Sequence, residues 1–275
     1  MHLGPYQLAA NISIMFTEAD LLQRFELARS AGFDAAECWW PFATAAPRRA
    51  EIDAFLSAVD RAGVDLVNVN FFAGDMAAGE RGVLSHPDRA QEFLDSVAVI
   101  STIADETGCK TFNALFGQRI AGVSPADQDA VATANLRTAL AELAARSATI
   151  VLEPLTVGEN GDYPLTSCAQ IADIINGVLA DSPQAGLKIL FDAYHLTNNG
   201  ENLTDSVRQF AAEIGHVQLA DAPGRAEPGT GTIDFGGLIK CLDDSGYRGA
   251  IAAEYRPAAA TADGLGWISE VNRQI

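Results

Sequence analysis

A chain of 275 residues with 48% apolar side chains and a mean hydropathy of +0.09 can fill a sizeable α/β core, which excludes global disorder. Its 36 acids against 18 bases leave a formal net charge of −18, a surface that repels phosphate backbones and speaks against a nucleic-acid partner. The opening MHLGPYQLAANISIMF has no basic stretch followed by a continuous apolar one, and no run of about 18 apolar residues occurs, so no membrane partner is expected and a cytoplasmic location is.

Short apolar runs alternate with longer amphipathic stretches. QLAANISI (7–14) predicts the first strand, and TEADLLQRFELARSAG (17–32) a helix with Thr17 as N-cap and Gly32 just past its end. Strands are predicted next at FDAAECW (33–39), VDLVNVN (64–70) and KTFNAL (110–115). The helical stretch SPADQDAVATANLRTALAELAARS opens on Ser124 as cap, with Pro125 at the first helical position, where its missing N–H costs nothing. Four more strands are predicted at TIVLEP (149–154), LKILFD (187–192), IGHVQLA (214–220) and GAIAAEY (249–255).

Eight strand–helix alternations in about 250 residues have the size and rhythm of a (β/α)8 TIM barrel. A doubly wound open sheet also alternates, but a count of eight is what closes a ring. No linker or composition break divides the chain, so residues 1–275 read as a single barrel domain. Cys38, Cys109, Cys168 and Cys241 lie far apart with no C-x-x-C pair, which argues against a zinc ribbon or disulfide framework and fits small buried thiols.

Functional groups of such barrels gather at the carboxyl ends of the strands. There the last four predicted strands carry Glu153, Asp192, Gln218 and Glu254, with His216 on the same face as Gln218 and small Ala252 beneath Glu254. Buried ionised acids are costly without compensation, and three in one mouth repel one another. A divalent cation removes both problems. An all-oxygen set of Glu153, Asp192, the Gln218 amide and Glu254 suits Mg²⁺ or Mn²⁺, whereas zinc prefers His or Cys. Taken singly, each acid also reads as a loop residue or ion-pair partner, His195 as a loop histidine and His216 as a core histidine; the joint pattern on adjacent strands carries the metal reading.

Other motifs come back negative. GDMAAGER begins like a phosphate-binding loop but has Glu80-Arg81 where Lys-Ser/Thr is needed, and reads as an ordered loop covering the pocket or forming a subunit contact. GTGTIDFGG lacks the third glycine of a dinucleotide fingerprint, and no G-x-S-x-G occurs. An endonuclease IV-like barrel would need a histidine-rich zinc site; the chain has only His2, His86, His195 and His216.

NISIMFTE, GFDAAEC, AGDMAAGERG, HPDR, VLEPL, FDAYH, GHVQLADAPGRAEPGTGTIDF, CLDDSGYRG, AEYRP and GLGW together resemble the hydroxypyruvate isomerase family of xylose-isomerase-like TIM barrels, in order from about Asn11 to Trp267. The resemblance implies one divalent metal on Glu153, Asp192, Gln218 and Glu254. It also implies Glu153 and Glu254 as the acid/base pair, His195 and Arg225 on substrate oxygens, and Glu227 orienting Arg225. The implied reaction is an aldose–ketose type isomerisation of a short hydroxy-oxo acid, hydroxypyruvate to tartronate semialdehyde, through a metal-stabilised enediolate. A 2-oxo-tetronate isomerase and a ketose 3-epimerase are the nearest alternatives, and a non-enzymatic metal- or sugar-acid-binding barrel a third. The HVQ of strand seven departs from the HxH associated with the epimerases. A small-molecule substrate and a homo-oligomer are further implications. Trp39-Trp40, Phe72-Ala73 and the TVGENGDYPLTS loop depart from the pattern and bear on the substrate.

Overall fold

The apolar runs become the strands of one closed parallel sheet. In a computed structural model describing residues 1–180 and 186–275, these are β1 (Tyr6–Asn11), β2 (Ala35–Cys38), β3 (Asp65–Asn70), β4 (Thr111–Asn113), β5 (Thr149–Leu152), β6 (Leu187–Asp192), β7 (Ile214–Leu219) and β8 (Ile251–Ala253). Each pairs in parallel with the next, and β8 returns to β1 through Leu8↔Ile251, Ala9↔Ala252 and Ala10↔Ala253. That pairing closes the ring and makes the chain a (β/α)8 TIM barrel rather than an open sheet. A two-residue strand, His2–Leu3, lies antiparallel on the outside of β1's start.

The helices between strands are α1 (Arg24–Ser30), α2 (Arg49–Ala62), α3 (Ala90–Thr107), α4 (Pro125–Leu143), α5 (Cys168–Leu179), α6 (Ala193–Asn198), α7 (Leu203–Phe210), α8 (Phe235–Asp244) and α9 (Gly266–Asn272). Among the described residues no helix is long and apolar enough to cross a membrane. Ser124 caps α4 by accepting the Asp127 N–H at 3.1 Å, with Pro125 behind it. Gly32, at φ +100°, ends α1 as the sequence predicts: its own N–H reaches Arg29 O and the next one, from Phe33, reaches Ala28 O.

The start of α1 departs from the prediction. Thr17 is exposed and caps nothing; a 3₁₀ turn at Leu21–Gln23 comes first. Arg24 instead ties the preceding segment down, donating to Ala19 O at 2.8 Å and Ile12 O at 2.9 Å. The first strand is also shorter than 7–14. The Asn11 carbonyl takes the N–H of Met15 at 3.0 Å, and its side chain takes that of Ser13, which turns the chain out of the sheet.

Period two along the strands separates two apolar regions. Leu8, Ala10, Ala36, Ile251 and Ala253 face the helices and join the main core, while Ala9, Ala35 and Ala252 form a separate fully buried cluster inside the ring. Those three alanines share a face with Asn11, Glu37 and Glu254, so the narrow interior is alanine below and polar above.

Candidate active site

Every strand delivers a buried polar side chain within one residue of its carboxyl end: Asn11, Glu37, Asn70, Asn113, Glu153, Asp192, Gln218 and Glu254 in strand order. They form two tiers. The lower tier centres on Glu37, fully buried on β2. Its Oε1 accepts from Asn11 Nδ2 (2.8 Å) and Gln218 Nε2 (2.7 Å), and its Oε2 meets His216 Nε2 (2.5 Å) and Asn68 Nδ2 (3.5 Å). β2 and β7 are not neighbours in the sheet, so these bonds run straight across the barrel interior.

The upper tier holds the acids singled out in the sequence. Glu153 Oε2 accepts from Asn113 Nδ2 at 2.7 Å, while its Oε1 faces His195 Nε2 at 3.7 Å. Asp192 caps α6 with Oδ1, taking the N–H groups of Tyr194 (2.7 Å) and His195 (3.0 Å). Its other oxygen, Oδ2, is buried without a hydrogen-bond partner, and so is Gln218 Oε1, whose amide nitrogen is spent on Glu37. Glu254 differs: Oε1 receives Trp39 Nε1 (2.6 Å) and Asn11 Nδ2 (3.0 Å), and Oε2 pairs with Arg225 Nη2 at 3.1 Å.

Burial raises all three carboxyl groups. For Glu153 it acts with repulsion from Glu254 and Asp192 to hold the pKa well above the ordinary range. For Asp192 burial outweighs the attraction of Arg225. Glu254 is pushed up to about 8, again by burial first, with Arg225 opposing and Asp192 adding to the rise. His195 goes the other way: burial, then Arg225 and Arg81, hold its pKa well below that of free histidine, so the ring is neutral.

Asp192 Oδ2, Gln218 Oε1 and Asn113 Oδ1 are buried acceptors without a partner among crowded, hard-to-ionise acids, an arrangement that a cation could complete. Glu153, Asp192 and His195 each offer an atom within 4.8 Å of the others. The histidine's tautomer qualifies its part. Nδ1 accepts the Thr156 backbone N–H at 3.0 Å, and a backbone N–H can only donate. The neutral ring therefore carries its proton on Nε2, the nitrogen that faces Glu153 and Asp192, and presents a donor there.

Arg225 arrives on the loop after β7, which a carboxylate organises. Buried Asp221 accepts the N–H groups of Ala222 (2.9 Å), Gly229 (2.8 Å), Gly231 (2.8 Å) and Ile233 (3.1 Å). Inside this turn Arg225 takes a left-handed φ of +54°, and its guanidinium stands 5.3 Å from the centre of the Tyr194 ring. Burial would lower its pKa, but Glu254, Asp192 and Glu153 together hold it above the usual value. Glu227 does not orient Arg225 as the resemblance implies. Its Oε1 takes the Ala258 N–H at 2.9 Å, linking the loop to the segment after β8, and the partner of Arg225 is Glu254.

A cavity of about 380 Å³ opens above these groups, lined by Glu153, His195, Arg225 and Glu254 and walled by Trp39, Arg81 and Asn160. Of the adjacent tryptophans only Trp39 reaches it. Trp40 turns away, donating to Thr44 O and packing edge-on against Phe42 and Phe72. The AGDMAAGERG loop forms one wall, pinned by Gln118 Nε2 on Gly79 O (2.8 Å) and Gly82 N on Ala73 O (2.8 Å).

Glu37 was not among the residues singled out in the sequence, nor were Asn11, Asn113 and Asp221. Asparagines closing β1, β3 and β4 at one strand-end position were the signal that the barrel mouth is polar on those strands too.

Residues 25–271 match the family described as Xylose isomerase-like TIM barrel. A putative hydroxypyruvate isomerase of Streptomyces coelicolor is 39% identical over 98% of this chain and 97% of its own length. A hydroxypyruvate isomerase of Escherichia coli is 35% identical, covering 95% and 98%, and a 2-oxo-tetronate isomerase of Cupriavidus necator is 33% identical, covering 95% and 97%. With its closed eight-stranded ring and these full-length isomerase relatives, the chain belongs to the hydroxypyruvate isomerase family of xylose isomerase-like TIM barrels.

Proposed function

We propose that this isomerase interconverts short hydroxy-oxo acids, hydroxypyruvate and tartronate semialdehyde foremost. The observation that carries the reading is the pair of buried glutamates, Glu153 past β5 and Glu254 past β8, facing one small cavity with a neutral histidine donor and an arginine between them. The names of the Streptomyces and Escherichia relatives support it.

In this reaction one proton leaves the hydroxymethyl carbon, an enediolate forms, and a proton returns to the neighbouring carbon. Glu153 and Glu254 take the roles of base and acid, which requires a free oxygen of each to come within about 3 Å of the proton it moves. His195, with its proton on Nε2, donates to a substrate oxygen as charge builds there. Arg225 holds Glu254 in place and adds positive charge to that side of the cavity. Asn113 and Trp39 fix the two carboxylates from outside.

A divalent ion, Mg²⁺ or Mn²⁺, fits the oxygen donors Glu153, Asp192, Gln218 and Glu254, and when bound supplies positive charge against the substrate's carbonyl and hydroxyl oxygens. The unpartnered Asp192 Oδ2 and Gln218 Oε1 favour these donors over His195 Nε2, which carries a proton.

The test is wash-in of solvent deuterium at the carbon-bound positions of hydroxypyruvate. Wild-type enzyme exchanges; Glu153→Gln and Glu254→Gln do not, while both keep native circular dichroism. Exchange persisting in both variants removes the pair from the chemistry. A second reading, a 2-oxo-tetronate isomerase, is favoured by the Cupriavidus relative and by a cavity roomy enough for one more carbon. The ratio of kcat/KM for the three- and four-carbon acids decides between them.

A further inference from the structure

A second arginine faces the cavity, and its situation is the opposite of Arg225's. Arg225 is already paired with Glu254. Arg81 is half-buried in the cavity wall and makes no ion pair among the described residues. Its guanidinium is nonetheless fixed: Nε donates to Asn160 Oδ1 at 2.9 Å, and Nη1 to Glu80 O at 2.7 Å and Met76 O at 3.1 Å. All three acceptors are neutral, and among the described residues Nη2 donates to nothing. The adjacent acid, Glu80, is turned away, one oxygen on Arg89 Nη1 (2.6 Å) and the other on the Asp75 N–H (2.5 Å).

The backbone beneath is rigid. Gly82 sits at φ +109°, where a Cβ would collide with the Leu115 carbonyl. Arg81 N is held by Gln118 Oε1 at 3.3 Å. Burial and the like charge of Arg225 lower the Arg81 pKa, so both cations act on one space. A full positive charge has thus been immobilised at the edge of the cavity with a donor left over. What it lacks is an anion.

We propose that Arg81 is the receptor for the substrate's carboxylate and sets the enzyme's preference for short hydroxy-oxo acids over neutral ketoses. The inference rests on the reaction class proposed above and places the carboxylate on Arg81 rather than on Arg225, whose Nη2 already bonds Glu254. A carboxylate on Nη2 would complete the planar guanidinium's bonds and relieve its repulsion with Arg225. A neutral hydroxymethyl group in the same position would leave the Arg81 charge without a counter-ion.

The experiment uses the Mn²⁺-supplied full chain and three measurements: steady-state kinetics on hydroxypyruvate, calorimetric binding of D-glycerate, and calorimetric binding of Mn²⁺ alone. Arg81→Gln is expected to raise KM and weaken glycerate binding about 100-fold, with kcat within about threefold and Mn²⁺ affinity unchanged. Arg81→Lys, which restores charge without the fork, is expected to recover about tenfold of that loss. Equal glycerate affinity in wild type and Arg81→Gln overturns the assignment. So does a fall in kcat matching the rise in KM with no recovery in Arg81→Lys, which would mark the side chain as a loop brace. If wild type binds glycerate through Arg81 yet isomerises no short oxo acid, the reaction class fails and the carboxylate receptor stands.

Discussion

Two buried carboxylates one tier apart in the same barrel show opposite solutions to one problem. Glu37 is fully buried and receives donors from Asn11, Asn68, His216 and Gln218. Glu153, almost as buried, receives one hydrogen bond, from Asn113, and faces Asp192 and Glu254. The lower tier meets its carboxylate on both oxygens and leaves over Asn68 Oδ1; the upper leaves a carboxylate oxygen itself unmet, Asp192 Oδ2, with Gln218 Oε1 and Asn113 Oδ1. Polar satisfaction ends where something from outside must complete it, and Gln218 belongs to both tiers, its nitrogen below and its oxygen above. Glu37 thereby takes the Gln218 amide nitrogen and leaves its oxygen as the free end.

The largest effect that would sharpen this contrast is kinetic. Glu153→Gln should lower turnover by about 10³-fold or more, while leaving the metal-free protein as stable as wild type or more so, because an acid that burial and its neighbours keep from ionising has gone. Rate assays beside urea unfolding in EDTA read both quantities, and a large loss of stability would undo the distinction between tiers. Glu37→Gln should do the reverse in the second measurement, costing about 2–4 kcal/mol as an amide replaces a carboxylate whose two oxygens meet four nitrogens. A neutral outcome there would show the lower tier to be replaceable packing.

Acidity gives the next test. Glu254 sits at about 8 when folded, against 4.5 for a free glutamate. Between those values the native state keeps a proton the unfolded chain has released, so stability must fall as pH rises through the window, by up to about 1.4 kcal/mol per unit for one such group. The stabilising contribution is complete below 4.5 and gone above about 8. Unfolding in EDTA from pH 5 to 8 should show this slope, and saturating Mn²⁺ should flatten it by replacing the proton. A metal-free slope of the opposite sign would mean the acids are compensated in a way the geometry lacks. Smallest of all, Ser124→Ala should cost about 1 kcal/mol through lost capping of α4, with turnover unchanged.

Much of this was legible in the chain. All eight strands announced themselves as apolar runs of strand length, and the upper acids stood out because each follows such a run. Strand limits were less accurate: Glu153 and Glu254 lie one residue beyond β5 and β8, at the first loop position. Glu37 stayed hidden because Ala-Ala-Glu-Cys inside a strand gives no hint that its partners come from β1, β3 and β7, brought together only by closure. Arg81 was visible only as the residue that spoils a phosphate loop, since nothing local tells which acid a cation lacks. Thr17 failed for a related reason. A threonine before an amphipathic run resembles a cap, but the Arg24 side chain holds the preceding segment in a turn and delays the helix.

The bond from the Trp39 indole to Glu254 gives the enzyme a built-in optical reporter. Trp40 and Trp267 are engaged elsewhere, with Thr44 and Tyr255. Any event that alters the charge on Glu254, whether ion loading or ligand capture, should therefore shift one emission among three, and occupancy can be followed in unlabelled protein by fluorescence alone.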